Sequence, residues 1–358
     1  MRPFEYRRVT SAAEAIALAA DRRDAVYLAG GTEVVNWLKQ GIIAPTLVID
    51  LSRCGLDGVA REGDTLSIGG LARIATVAAH PEVRQTAPAV AQALDLSATP
   101  AIRQMATVAG NLLQKTRCPY FLGTRHSALG TRPDAAPPLP SAERRVPSAE
   151  NPSAEHPEAC NRRDPGSGCG ALGGDQRGAA ILGVAPNCIA THPSDLAVVL
   201  VVLDAELTVQ GEAGRRTLAV EALYPAVADP AVDNTLIRGE LITAIRIPLG
   251  RAAKRTRYVK ICDRASFDFA LVAAAGYLLV EDGIIAEARL ALGGVAARPW
   301  RARTAEVHLI GRKPTPESVA RAVAAELAGA VLLPGNRYKP DLVVRAATKV
   351  LLDQGDLA

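Results

Sequence analysis

Ala25-Val-Tyr-Leu-Ala29 runs without a polar break into Gly30-Gly31-Thr32, and a helical pattern follows over Glu33–Lys39 before Gly41. A buried strand, a glycine turn and a helix in so short a span limit the chain to folds in which strands and helices alternate. Thr46-Leu-Val-Ile-Asp50 and Thr65-Leu-Ser-Ile68 repeat the strand signal, and Leu71–Ala79 repeats the helical one. Ser11-Ala-Ala-Glu14 has capping-box spacing, in which Ser and Glu satisfy each other's free amides, and opens a helix to about Ala20.

The chain has 358 residues, enough for two or three domains at about 150 residues each. Hydrophobic residues make up 49% and charged residues 22%, which excludes disorder of the whole chain. Aromatics are only 4%, so the cores are built from Ala, Val, Leu and Ile. A net charge of +4 with both signs mixed does not point to nucleic acid. The apolar stretches Leu196–Leu203 and Leu271–Val280 are far short of the roughly 18–20 residues of a membrane span. Met1–Arg8 lacks the apolar stretch of a signal peptide, so the expected location is cytoplasmic. Six cysteines without such a signal favour metal or redox chemistry over a disulfide scaffold.

Residues at about 131–159 hold seven prolines and three copies of Pro-Ser-Ala-Glu, at 140–143, 147–150 and 152–155. They have too little apolar surface to offset the entropy of ordering and are expected to form a disordered, inserted loop. Leu196–Leu203 and Ala205–Val209 read as buried helix or strand. From about Leu223 a second unit is expected. Ile242–Ile247, Tyr258–Ile261 and Ala288–Leu292 are strand-like in it, with an apolar segment at Phe269–Val280. Thr315 caps a helix with Pro316 in its first turn and Gly329 beyond its end, and Asp341–Leu352 is the last helix.

Gly30 and Gly31 allow a tight turn and a close backbone approach to a ligand, with helical amides offered to a phosphate; a plain strand–helix turn would use the same residues. Ala106-Thr-Val-Ala-Gly-Asn111 is a second segment of small residues suited to close approach, or to packing alone. The literal Gly168-x-Gly170-x-x-Gly173 pattern is not a dinucleotide fingerprint, because Asn161–Gly166 before it is no strand. His80, His126, His156, His192 and His308 are scattered and read as surface or satisfied residues. Cys54 and Cys262 lie in or beside apolar strands and read as structural. Cys118, Cys160, Cys169 and Cys188 gather in one irregular region. Their spacing matches neither zinc-finger pairs nor ferredoxin runs and leaves zinc, an iron–sulfur cluster and free thiols open. Gly166, Gly168 and Gly170 tilt the reading to a cluster, whose sulfides accept backbone amides.

As an ordered set these segments resemble the FAD-binding subunit of molybdenum hydroxylases, the xanthine dehydrogenase and aldehyde oxidoreductase family. The resemblance is carried by Pro3-Phe-Glu-Tyr6, Leu28–Glu33, Ala106–Asn111, Pro193-Ser-Asp-Leu196, Gly239–Pro248, Tyr258-Val-Lys260 and Asp263–Ala270. Arg117-Cys-Pro-Tyr-Phe121, Cys160–Cys169 and Asn187-Cys-Ile-Ala190 resemble the branch whose flavin subunit carries an extra [4Fe–4S] cluster. The proline-rich repeats are a departure, since relatives join the first two cluster cysteines by a much shorter stretch.

The resemblance implies an α+β protein. A two-subdomain α/β FAD-binding domain (1–221, subdomains 1–55 and 56–221, iron–sulfur insertion at about 114–192) precedes a smaller α+β C-terminal domain (222–358). It implies that Leu28, Ala29, Gly30, Gly31, Thr32, Glu33 and Val34 wrap the FAD pyrophosphate, and that Thr107, Gly110 and Asn111 lie along the dinucleotide. Ser194 and Asp195 bond its sugar-phosphate portion, Leu241 and Ile242 flank flavin or adenine, and Lys260 and Asp268 approach from the C-terminal side. It gives Cys118, Cys160, Cys169 and Cys188 as cluster ligands and no catalytic residue. The partners implied are a molybdenum-cofactor-binding large subunit, a [2Fe–2S] small subunit and an external electron acceptor. A partner with a twin-arginine signal would carry the assembly to the periplasm. The rival readings are a zinc-stapled, non-catalytic binding protein and a stand-alone flavin dehydrogenase.

Overall fold

The computed structural model describes residues 1–22, 24–123, 159–226, 229–265 and 267–353 as three sheets with helices packed on them. Apart from Ala159, the proline-rich stretch expected as a loop lies outside the described residues. The architecture is mixed α+β, as expected.

Strands β1 (Glu5–Arg8), β2 (Val26–Leu28) and β3 (Leu47–Asp50) pair in parallel in the order β1-β3-β2. The central β3 is buried along its whole length, as a parallel strand covered on both faces must be. The helix Ala12–Asp21 packs on this sheet through Ala15 and Ala19. Ser11 caps the helix by accepting from the Glu14 amide, but the Glu14 carboxylate accepts from the Thr10 amide. The expected reciprocal box is therefore displaced by one residue.

The second sheet is antiparallel and comprises β4 (Val59–Glu62), β5 (Thr65–Gly69), β6 (Glu206–Gly211), β7 (Gly214–Ala219) and β8 (Leu241–Pro248), in the order β4-β5-β8-β6-β7. β8 bonds to β5 on one side and β6 on the other. Residues 241–248 thus lie in the middle sheet, not in the C-terminal unit where a boundary at residue 222 would put them. The physical reason is that β8 buries Leu241, Ile242, Thr243, Ile245 and Ile247 and needs a neighbour on each edge, and both neighbours precede residue 222.

Between the second sheet and the third lies the helix Asp195–Val202, every residue of which is buried. Apolar on all sides, it could be read as strand or helix; the Ser194 hydroxyl accepting the Ala197 amide starts it as a helix. It packs on the helix Pro88–Asp95 and on the third sheet. That sheet is antiparallel in the order β12-β11-β10-β9, from β9 (Arg257–Ile261), β10 (Val272–Glu281), β11 (Ile284–Gly293) and β12 (Trp300–Arg301). The helices Arg303–Leu309, Pro316–Glu326 and Lys339–Leu352 complete its core, the second opened by Thr315 and Ser318 in a reciprocal cap.

Lys339 is fully buried, and its Nζ donates to the carbonyls of Ala179 at 2.7 Å and Gly294 at 2.6 Å. Burial pulls its amine down from 10.5 to about 7. Between those values the unfolded chain binds the extra proton, so this group's contribution to stability rises with pH across that window. Urea-unfolding free energies measured at about pH 7 and about pH 9 should show that rise, and Lys339→Met should lose the part due to this amine. An identical pH slope in both proteins would contradict the assignment.

Candidate functional site

After β2 the chain turns through residues 29–33 into the helix Val34–Lys39. At Gly30 a Cβ would lie 1.8 Å from the Met105 carbonyl oxygen, and Gly31 has φ +73°. The first position has no room for a side chain and the second favours glycine. Among the described residues the amides of Gly30, Gly31, Thr32 and Glu33 donate no main-chain hydrogen bond, which leaves them to a ligand. Facing this turn, Thr107 caps the short helix Val108–Leu112 through the Gly110 amide. The Asn111 Oδ1 accepts from the Ser194 hydroxyl at 2.6 Å.

A cavity of about 480 Å³ lies between these segments, within the range of about 300–1,000 Å³ typical of ligand pockets. It is lined by Ala29, Gly30, Gly31, Thr32, Glu33, Val34, Thr107, Gly110, Asn111, Asp195, Leu241, Ile242, Lys260 and Asp268. Leu28 and Ser194, also singled out from the sequence, do not line it: Leu28 lies in β2 behind the turn, and Ser194 stands behind Asn111.

Asp195 is 5% exposed and accepts from Tyr258 Oη at 2.6 Å, Lys260 Nζ at 2.9 Å and Ser97 Oγ at 3.3 Å. Burial pushes its carboxyl up, and Lys260, Tyr258 and Ser97 oppose that shift. Asp195 and Lys260 thus spend their charges on each other at the cavity wall. His192 is half-buried, its ring set edge-on to Tyr224 at 4.5 Å, with Nε2 unpartnered among the described residues. Burial lowers its pKa to about 4 and keeps it neutral, so it is neither a surface nor a fully satisfied histidine.

Lys115 and Asp233 carried no sequence signal yet line the cavity; Trp37, Phe267 and Phe269 line it from segments that the sequence singled out. Arg117, beside a cysteine of interest, also lines the cavity; it pairs with Glu33, and its guanidinium lies 4.8 Å from the Phe269 ring centroid.

Cys118, Cys160, Cys169 and Cys188 surround one small cavity of about 10 Å³, together with Tyr120, Phe121 and Ile189. Main-chain amides of Tyr120 and Phe121 reach the Cys118 sulfur. Those of Arg162 and Arg163 reach Cys160, and those of Ile189, Ala171 and Leu172 reach Cys169. Burial raises the Cys160 and Cys169 thiols and takes Cys118 up to about 11. Cys54 and Cys262 lie apart from this group, and all six are free cysteines. Among the described residues no group of three or more His, Cys, Asp or Glu is arranged to hold a single metal ion.

Residues 2–250 match the family described as FAD binding domain in molybdopterin dehydrogenase, and residues 257–353 match the CO dehydrogenase flavoprotein C-terminal domain. The chain is 39% identical over 313 residues to the aldehyde oxidoreductase FAD-binding subunit PaoB of Escherichia coli (strain K12), covering 86% of each chain. It is 23% identical to the glyceraldehyde dehydrogenase medium chain of Sulfolobus acidocaldarius, covering 97% of this chain and 95% of that one. Its fold is similar to a carbon monoxide dehydrogenase of Hydrogenophaga pseudoflava that lacks the Mo-pyranopterin moiety, with TM-score 0.70, 22% identity and coverage of 99% and 97% of the two chains.

The free amides of the glycine turn and the cavity of about 480 Å³ beside them fit FAD. Gly30→Ala should weaken flavin retention at least tenfold, about 1.4 kcal/mol, measured as flavin per purified chain. Gly58→Ala, whose added Cβ meets nothing within 4 Å, should keep its flavin. Full flavin in Gly30→Ala would contradict this reading of the turn. With a family match over most of its length and a relative this similar, the chain belongs to the FAD-binding subunits of the molybdopterin dehydrogenases, and it is an oxidoreductase component.

Proposed function

We propose that this chain is the FAD- and [4Fe–4S]-carrying electron-transfer subunit of a multi-subunit molybdenum-dependent oxidoreductase of the aldehyde or xanthine type. Substrate is oxidised on a partner chain holding the molybdenum cofactor. Electrons cross [2Fe–2S] clusters on a second partner and leave this chain for an external acceptor. The relatives' designations as FAD-binding subunit and medium chain support a complex of several chains. Among the described residues no helix is long and apolar enough to cross a membrane.

One observation carries the reading: Arg117 lines the larger cavity and Cys118, the next residue, lines the cysteine cavity. A group in either cavity is therefore a near neighbour of one in the other. FAD, when bound, would supply a carrier able to take up two electrons one at a time and pass them on singly or in pairs. The amides of residues 30–33 would bind its pyrophosphate, Thr107, Gly110 and Asn111 its length, and Leu241 and Ile242 its flanks. Lys260 is held to Asp195 at the wall, and Asp268, Phe267 and Phe269 lie at the C-terminal side.

The donor set around the smaller cavity, four cysteine thiols, suits either zinc or an iron–sulfur cluster, and the resemblance to the cluster-bearing branch favours the cluster. A single zinc ion draws its thiolates to about 2.3 Å from one centre, whereas a [4Fe–4S] cube bonds each thiolate to a different iron. Amides directed at the sulfurs suit such a cluster, whose potential they tune. Cys118, Cys160, Cys169 and Cys188 would be its ligands.

Metal and flavin analysis of the anaerobically purified complex tests this. About one FAD and, beyond the irons of the partner's [2Fe–2S] clusters, about four irons per chain, with a [4Fe–4S] signal by EPR after reduction, are expected. Cys169→Ser should lose most of that signal and keep its FAD. Zinc without flavin would favour the binding-protein reading, and full substrate oxidation by this chain alone would favour a stand-alone dehydrogenase.

A further inference from the structure

Arg162 stands between the two cavities with its side chain only 10% exposed. Its Nε–H donates to the Cys188 sulfur at 3.3 Å, and its Nη1 donates to Asp233 Oδ1 at 2.7 Å. The other Asp233 oxygen accepts from Lys115 Nζ. Cys188 and Arg162 line the cysteine cavity, while Asp233 and Lys115 line the larger one. The route Cys188–Arg162–Asp233–Lys115 is thus a continuous chain of charge-assisted contacts from one site to the other. Among the described residues Cys188 is also the one of the four cysteines whose sulfur takes a hydrogen bond from a charged side chain, whereas the groups near the sulfurs of Cys118, Cys160 and Cys169 are neutral main-chain amides.

We infer that Arg162 is a positioning residue that sets the redox poise of the cysteine site and couples it electrostatically to the flavin cavity through Asp233 and Lys115. The inference rests on the reading that Cys188 is a ligand of a [4Fe–4S] cluster. One electron passed from FAD to that cluster makes it one unit more negative, with no bond formed or broken. A guanidinium cannot lose its charge at any physiological pH, and here it is hydrogen-bonded to a ligand sulfur in a largely dry setting. It therefore favours the reduced, more negative state, since net charge and hydrogen bonds at sulfur are the levers on such a potential. Asp233 holds the guanidinium in place and opposes its field. Lys115 neutralises Asp233 from the flavin side, so a change of charge in the larger cavity alters how much of that opposition remains.

EPR-monitored redox titration of the intact complex, with iron and FAD measured for each variant, tests the inference. Arg162→Gln keeps an N–H donor but loses the charge, and should shift the oxidised-to-reduced ratio at least tenfold toward oxidised, about 59 mV lower for a one-electron couple. Arg162→Lys should recover most of that shift. Asp233→Asn should move the potential upward, and it carries the test if Arg162→Gln fails to retain iron. Unmoved potentials in iron-loaded variants would overturn the inference alone. Arg162→Gln and Asp233→Asn moving in the same direction, as general loosening would produce, would do so too. A wild-type complex without a [4Fe–4S] signal would instead overturn the cluster reading, and this inference with it.

Discussion

Asp195 is a carboxylate almost wholly buried at the cavity wall, and three parts of the fold meet to satisfy it. Ser97 follows the helix Pro88–Asp95, Tyr258 and Lys260 come from β9 of the third sheet, and Asp195 itself begins the buried helix Asp195–Val202. A buried ion pair adds little over a well-packed apolar substitute, but removing one partner costs about 3–5 kcal/mol because the other charge is stranded. The arrangement therefore specifies how the third sheet docks more than it stabilises the fold. Because Asp195 and Lys260 also line the large cavity, the contact that joins the layers shapes the site as well.

The rest of the cavity follows from close backbone approach. The turn at Gly30 abuts the Met105 carbonyl, and Gly70 comes equally near the backbone at Ile242, where a Cβ would lie 2.2 Å from the carbonyl oxygen. Side chains at either point would separate the first sheet, the helical segment before Thr107 and β8, which together enclose the space. The cysteine segment is then fixed from outside. Gln176, Arg177, Ala179 and Ala180 are held by Gly335, Tyr338, Lys339 and Asn336, all near the start of the last helix. The C-terminal part of the chain thus acts as the clamp that presents Cys169 and Cys188.

What could be read from the residues was what short-range physics encodes. Glycines between a strand and a helix, hydroxyl caps at Ser11 and Thr315, and the apolar stretches of β3 and β10 all announce themselves within a few positions. Most of the cavity lining belonged to segments singled out on that basis and by resemblance. The role of β8 did not show, because its pairing with β5 joins residues far apart in sequence and its own pattern fits either sheet. Lys115, Arg162 and Asp233 escaped for the same reason: each is an ordinary charged residue until the fold brings Asp233 against Arg162 across 71 positions. Ser194 shows the opposite limit, since a motif position that looked like a cofactor contact is committed to Asn111 and to capping its own helix.

Whether one chain holds a flavin and an iron–sulfur cluster in adjoining cavities is open to direct observation. Diffraction from crystals of the intact complex, with anomalous data collected across the iron and zinc edges, tests it most directly. Iron density is expected among Cys118, Cys160, Cys169 and Cys188, and flavin density from the Gly30–Gly31 turn toward Lys260. Zinc at the cysteines, or flavin density lying outside the cavity bounded by Gly30, Asn111 and Leu241, would contradict it.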